Sequence, residues 1–259
     1  MDIATARVWV TGASSGIGAA LARELADRGA RVAISARDAE RLTAVAAGRM
    51  HVQPVDVTDR AATVAAGAAV REALGGLDLA VLNAGTWSQF HVEQWDSQAF
   101  ADHLQVNLMG TVHSLEAVVP AMLAAGHGQI AGMASVAGYR GIPGSEAYGA
   151  SKAALLNLLE SLRASLGVRG IVVQTISPGF VRTPMTDRNR FPMPFMVEPE
   201  QAARSIADGI AKGKAEIVFP APMMVAMKLA RLVPVRPWTA LTAVLARRGL
   251  HGGPANRAG

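Results

Sequence analysis

Residues 7–18 read "RVWVTGASSGIG", and the order of residue types in that stretch decides what kind of chain this is. Arg7 to Thr11 is a short, β-branched run that reads as a buried strand, and it stops at Gly12. From Ile17 to Arg28 the spacing changes, with Ile17, Leu21 and Leu25 on one helical face. A strand that turns through glycines straight into a helix leaves the unpaired N–H groups of the first helical turn facing the strand end, where an anion can sit. Gly12 suits the tight turn, while Gly16 and Gly18 let the backbone approach a pyrophosphate and the helix lie close on the sheet. Gly12, Ser14, Ser15, Gly16, Ile17 and Gly18 are therefore candidate dinucleotide contacts.

Outward from this loop, strands and helices alternate. "ARVAIS" (30–35) predicts a second strand, 38–47 a helix, "HVQPVDV" (51–57) a third strand and 61–74 a helix. "LDLAVLNAG" (77–85) predicts strand four, followed by a helical region over 98–124 that Pro120 should break near its end. "GQIAGMAS" (128–135), a helix over 147–166, "GIVVQTISPG" (170–179), a helix over 199–212 and "AEIVFP" (215–220) complete the series. Such alternation predicts an α/β fold, a single doubly wound Rossmann-type domain over residues 1–220 with helices on both faces of a parallel sheet. Residues 221–259 fall outside the pattern as a basic, apolar, amphipathic C-terminal extension. Ligands of such sheets bind beyond the carboxyl ends of the strands. The residues there, "TGASSGIG", "SAR", "DVTD", "NAG", "MASVAG" and "SPGFVRTP", are all rich in small or polar types.

At 259 residues, 51% hydrophobic and 17% charged, the chain has the composition of a well-buried globular protein and not of a disordered one. The absence of cysteine removes disulfides and thiolate metal sites and suits a reducing cytoplasm. The histidines have no metal-site spacing, so no metal is expected. "MDIATARVWVTG" lacks the features of a signal peptide, and no stretch of about 20 residues reads as a membrane span. The net charge is +5, yet Lys228, Arg231, Arg236, Arg247, Arg248 and Arg257 supply +6 with no acid in 221–259, leaving −1 for the first 220 residues. A near-neutral body with a basic tail argues against nucleic-acid binding.

T-G-x-x-x-G-x-G at 11–18, N-A-G at 83–85, Ser135 thirteen residues ahead of Y-x-x-x-K at 148–152, and P-G at 178–179 together resemble the short-chain dehydrogenase/reductase family. The resemblance implies a nicotinamide cofactor and hydride transfer between a carbonyl and an alcohol. It also implies cofactor contacts from Asp56 and Val57 at the adenine, from Asn83, Ala84 and Gly85 along the cofactor, from Pro178 and Gly179 beside the nicotinamide, and from Val181 and Thr183 at its carboxamide. Leu82 stands where relatives commonly carry Asn, and Ala134 where they often carry Ser. Where NAD-type relatives carry Asp, this chain has Ala36 followed by Arg37. A guanidinium can grip a 2′-phosphate bidentately, so NADP(H) is favoured over NAD(H). Against this, Ser15 fills a loop position that is basic in many NADP-dependent relatives, and Arg37 could simply be solvated beside Asp38, the N-cap of the next helix.

"SEAYGASKAALL" (145–156) sets Tyr148 and Lys152 one helical turn apart on one face. Reducing a carbonyl requires a hydride on carbon and a proton on oxygen, and the Tyr148 phenol could give or take that proton. A free phenol titrates at about 10; an ammonium one turn away, with a positive nicotinamide, would favour the phenolate. Lowering the pKa by about two units takes roughly 2.7 kcal/mol. Ser135, ending strand five, could hydrogen-bond the substrate oxygen. The family resemblance implies that Lys152 also holds the nicotinamide ribose and that Asn107 holds a water linking Lys152 to solvent; read alone, Asn107 could equally bond its own backbone. Asn107, Ser135, Tyr148 and Lys152 form the candidate catalytic set, with Tyr148 and Lys152 counted as cofactor contacts too.

The Pro-broken segment 184–200 carries Met185, Phe191, Met193, Phe195 and Met196 at the place of the family's variable substrate lid. Thioethers and aromatics suit an apolar, adaptable pocket, and Trp87, Phe90 and Trp95 could add a wall, so a hydrophobic carbonyl or alcohol is expected. The same side chains could instead only pack the lid onto the body. The extension, with Pro234 and Pro237 between two candidate helices, could cover the site, make a subunit contact or lie on an anionic membrane. Family habit implies a homodimer or homotetramer through the long helices carrying Asn107 and Tyr148. A cytoplasmic protein, membrane-associated through its tail or not, is expected. The rival reading is a non-catalytic, dinucleotide-sensing module, which would usually have lost Tyr148, Lys152 or Ser135; none is lost.

Overall fold

The structure is a computed structural model and describes residues 1–187, 189 and 192–250. Its centre is a seven-stranded parallel sheet of β1 (Arg7–Thr11), β2 (Arg31–Ser35), β3 (His51–Val52), β4 (Leu79–Leu82), β5 (Gly128–Met133), β6 (Ile171–Pro178) and β7 (Glu216–Phe219), in spatial order 3-2-1-4-5-6-7. The chain steps outward from β1 to β3, then returns to build β4 to β7 on the other side. Strand order therefore reverses between β1 and β4, and their carboxyl ends flank the crevice in which such sheets take ligands.

Side-chain alternation along the strands divides the core in two. Val8, Val10, Ile34 and Val81 face α1 (Gly16–Asp27) and α7 (Pro199–Ala211), while Trp9, Ala80, Leu82 and Ile130 face α3 (Arg60–Leu74), α5 (Gly110–Ala125) and α6 (Glu146–Gly167). The expected helical stripe of α1 is buried, Leu21 and Leu25 completely, and truncating either to Ala would cost about 2–5 kcal/mol. Trp9 meets its one polar need inside the core by donating from Nε1 to Ser35 Oγ at 2.8 Å. α2 (Ala39–Ala46) and α3 begin at side-chain caps, Asp38 accepting from Arg41 N at 3.0 Å and Asp59 from Ala62 N at 2.9 Å.

Four expectations are corrected. The third strand is shorter than 51–57, because Pro54 has no N–H to donate; the flanking Gln53 and Val55 still donate to Ile34 and Ala36 at 3.0 Å. Pro120 does not break the helix, which runs on to Ala125, since Pro120 is exposed and water can reach the carbonyl it deprives of a donor. The 98–124 region is also not one regular helix: α4 (Ser97–His103) passes into a π-helical turn, Leu104–Met109, before α5 begins. Among the described residues this run, Ser97–Ala125, is long and apolar enough to cross a membrane, contrary to the reading of the sequence. Here it is folded against the body, with Asn107, Thr111, His113 and Ser114 buried and hydrogen-bonded.

The extension forms α8 (Ala221–Leu232) and α9 (Val235–Leu250), meeting at Pro234 as expected; Pro237 falls in the first turn of α9, where its missing N–H costs nothing. Residues 251–259, including Arg257, lie outside the described part, as does Phe191 of the expected lid.

Candidate active site

The glycine loop lies at the reversal of strand order. Gly12 adopts φ +67°, and a β-carbon there would sit 2.6 Å from Ala84 Cα, so only glycine fits. Gly18 is needed for closeness, since its β-carbon would lie 2.4 Å from Asn83 Nδ2. Asn83 bolts this corner together, donating from Nδ2 to Thr11 O at 2.9 Å and Gly12 O at 3.0 Å. Thr11, which opens the T-G-x-x-x-G-x-G motif but was given no role there, accepts at Oγ1 from Asn83 N at 3.1 Å and from Ala84 N at 3.3 Å. Ser15 occupies the N-cap of α1 without making a side-chain cap hydrogen bond, unlike Asp38 and Asp59 on their helices. The first-turn N–H groups at Gly16, Ile17 and Gly18 thus stay open to an anion, which fits a pyrophosphate. Thr183 closes the far side, its methyl 3.0 Å from where a Gly16 β-carbon would be. Thr186, also missed, holds that segment by accepting from Thr183 N at 2.9 Å and donating to Val181 O at 2.7 Å. Pro178 ends β6, and Gly179 N donates to Phe219 O at 2.8 Å.

Beyond β2, the Arg37 side chain is 77% exposed and its guanidinium lies 3.9 Å from the Asp56 carboxylate. Asp38 pairs with Arg41 and not with Arg37. Asp56 also accepts from Thr58 N at 2.9 Å, and Val57 is tied to α5 where its carbonyl meets His113 Nδ1 at 2.9 Å. A cleft beside the glycine loop is lined by Ser14, Ser15, Arg23, Arg182 and Glu200, with Arg182 paired to Glu198 at 2.9 Å.

Tyr148 and Lys152 share a face of α6 as expected, with Nζ 5.7 Å from the ring centroid. Ser135 ends the segment after β5 and caps the following turn, accepting from Ala137 N at 3.1 Å. Lys152 is 3% exposed and donates to Met133 O at 2.7 Å. No other hydrogen bond of this ammonium is found among the described residues, and an ammonium has three donors, so two remain for a ligand such as a ribose diol. Gly85 borders it, its β-carbon position 3.5 Å from Nζ and 3.3 Å from Asn107 Oδ1.

Asn107 does not bond its own helix through its side chain. Its Oδ1 accepts from Thr86 N at 2.7 Å, and its Nδ2 donates to Thr86 O at 3.1 Å and to Ser151 Oγ at 2.9 Å. Ser151 in turn donates to the Tyr148 carbonyl at 2.7 Å. The π-helical turn is thus pinned both to the loop after β4 and to the turn of α6 that carries the tyrosine.

Without a bound dinucleotide, burial sets the direction for both groups. Burial pushes the phenol up from its ordinary value, and the facing Ser135 hydroxyl only partly opposes this. Burial also pulls the Lys152 ammonium down to about 7.

Of the expected apolar wall, Phe90 is buried, packing edge-on against Trp95 at 5.2 Å and Phe100 at 6.1 Å, while Trp95 itself is largely exposed. In the lid, Val197 bridges to Val181, and Met185 and Phe195 are exposed.

An open sheet with an uncapped glycine loop at its strand reversal defines a dinucleotide-binding protein of Rossmann type. Residues 6–192 match the family model described as short chain dehydrogenase. The chain is 40% identical over 232 residues to an uncharacterized oxidoreductase of Myxococcus xanthus (strain DK1622), covering 87% of this chain and 91% of that one. Among solved structures, a short chain dehydrogenase/reductase from Burkholderia phymatum in complex with NAD superimposes with TM-score 0.80 at 25% identity, covering 89% of this chain and 94% of that one. A variant of actinorhodin polyketide ketoreductase with NADPH gives TM-score 0.76 at 28% identity, covering 83% and 96%. This chain belongs to the short-chain dehydrogenase/reductase family, a family of oxidoreductases.

Proposed function

We propose that this protein transfers a hydride between NADP(H) and the carbonyl or secondary alcohol of a hydrophobic substrate, with Tyr148 as general acid and base. The observation that carries this reading is the convergence of a half-buried phenol, a serine hydroxyl and a buried ammonium at the carboxyl end of the central strands. The bound dinucleotide supplies or accepts the hydride at the substrate carbon; the side chains handle the proton and the positioning. A phenol whose pKa is raised by burial is fully protonated at neutral pH, which is the state a reduction consumes. Ser135 orients the substrate oxygen toward that phenol, and Asn107 positions the tyrosine through Ser151. The two remaining donors of Lys152 hold the nicotinamide ribose.

The open N–H groups of α1 take the pyrophosphate, with Ser14 and Ser15 beside them. Asp56 and Val57 flank the adenine, Ala84 and Gly85 border the cofactor, and Pro178, Gly179, Val181 and Thr183 enclose the nicotinamide. The exposed Arg37, held only loosely by Asp56, is available to a 2′-phosphate, which supports NADP(H) over NAD(H). Exposed Met109 and Leu123 along the α4–α5 run support a homodimer or homotetramer. The exposed apolar side chains of the lid support an apolar substrate, and the tail supports peripheral membrane contact by a cytoplasmic protein.

The test is NADPH oxidation with a panel of ketones, aldehydes and quinones, in the wild type and in Tyr148→Phe, alongside dinucleotide titrations. Turnover lost with NADPH binding retained is expected. Equal turnover in both removes Tyr148 from the chemistry, and binding without turnover in the wild type favours the dinucleotide-sensing module.

A further inference from the structure

The extension has two faces of opposite character. Its inner face is latched to the segment between Ser135 and α6. Arg231 lies over the Tyr139 ring at 5.2 Å, Arg140 Nη1 donates to Val233 O at 3.0 Å, and Trp238 Nε1 donates to Gly141 O at 2.8 Å with Arg140 against its ring. Met223 presses on Gly179, whose β-carbon would lie 2.9 Å from Met223 Cγ. The outer face is apolar and open. On α8, Val225, Leu229 and Leu232 recur at the spacing of one helical stripe and are 51%, 58% and 79% exposed. On α9, Leu241 and Val244, one turn apart, are exposed as well. Arg236 and Arg247 are exposed on the same helix, and no acid occurs anywhere in 221–259.

Exposed leucines and valines in a row are unfavourable in water and call for an occupant. A two-fold contact between copies would set this acid-free, arginine-bearing face against itself, bringing like charges together. An anionic bilayer satisfies both features, with arginines at the headgroups and aliphatic side chains below them. We propose that the outer face of α8–α9 docks on an anionic lipid surface and, through the inner latch, sets the segment Tyr139–Gly141 beside the membrane boundary, where an apolar substrate partitions. The docking stands on the extension alone; the substrate clause rests on the hydrophobic substrate proposed above.

Sedimentation of the full chain with phosphatidylcholine vesicles, with and without phosphatidylglycerol, tests the docking. Two double variants accompany it, Leu229→Gln/Leu232→Gln and Arg236→Gln/Arg247→Gln, all at exposed positions outside the catalytic and cofactor sites. Binding to phosphatidylglycerol vesicles is expected, weakened about tenfold or more in each variant and by high salt. Turnover of a water-soluble carbonyl should be unchanged in both. No binding by the wild type at low salt, or undiminished binding by both variants, overturns the proposal. So does self-association of the wild type that the variants abolish in sedimentation velocity, which would make a second copy the occupant. A chain that pellets yet turns over no carbonyl fails as an oxidoreductase while the docking stands; one that turns over carbonyls and ignores vesicles does the reverse.

Discussion

Tyr139 and Tyr148 are the chain's two tyrosines, and their surroundings match closely. Each has a cation near its ring, Arg231 at 5.2 Å for Tyr139 and Lys152 at 5.7 Å for Tyr148. Each has a serine facing its hydroxyl, Ser177 and Ser135 respectively, and burial raises both phenols while the serine opposes. The difference is place. Tyr139 is buried against the extension, which supplies its cation, and its hydroxyl and that of Ser177 approach each other without reaching hydrogen-bond geometry. Tyr148 takes its cation from its own helix and is half-buried, one turn from a Lys152 whose ammonium reaches the Met133 carbonyl at the end of β5. A phenol, a cation and a serine do not by themselves define a site; what sets Tyr148 apart is a neighbouring Lys152 that reaches the carboxyl end of β5.

Variants can sharpen or break this contrast. Ser135→Ala should lower kcat about a hundredfold with little change in NADPH affinity, as removal of one oxyanion donor does; the corresponding Ser177→Ala should leave steady-state kinetics unchanged. Lys152 gives a test in the pH dependence of stability, measured by urea unfolding without dinucleotide. The folded protein releases this proton at about 7 and the unfolded chain at 10.5, so between those values the unfolded state binds more protons and stability rises with pH. Lys152→Met should flatten that rise, and a slope unchanged in the variant would assign it to another group. Arg37→Ala should weaken NADPH binding about tenfold relative to NADH, read from the two dissociation constants. Smallest of all, Tyr139→Phe removes a hydroxyl that has no partner and should change unfolding free energy by less than about 1 kcal/mol.

The glycine loop and the Tyr148–Lys152 pair were legible in the sequence because each is set by spacing within one turn or one helix. Thr11 and Ser151 were not, because they act on residues distant in the chain; Asn83, which Thr11 serves, lies 72 positions away. The π-helical turn at Asn107 was hidden for a related reason. Nothing in "LQVNLM" interrupts a helix, and the side chain's bonds to Thr86 and Ser151 exist only once the loop after β4 and α6 are in place. The burial of Tyr148, which raises its phenol while no dinucleotide is bound, was not legible, because sequence shows charges and not burial. The likeness of Tyr139 to Tyr148 was invisible, since Arg231 and Ser177 reach Tyr139 from separate elements.

The most direct measurement is single-turnover hydride transfer from bound NADPH to a carbonyl, run side by side on Tyr148→Phe and Tyr139→Phe. Tyr148→Phe should be slower than the wild type by about 10³-fold and Tyr139→Phe should match it within about twofold. Equal rates in the two variants, or the greater loss in Tyr139→Phe, would contradict the claim that position at the crevice makes Tyr148 the proton donor.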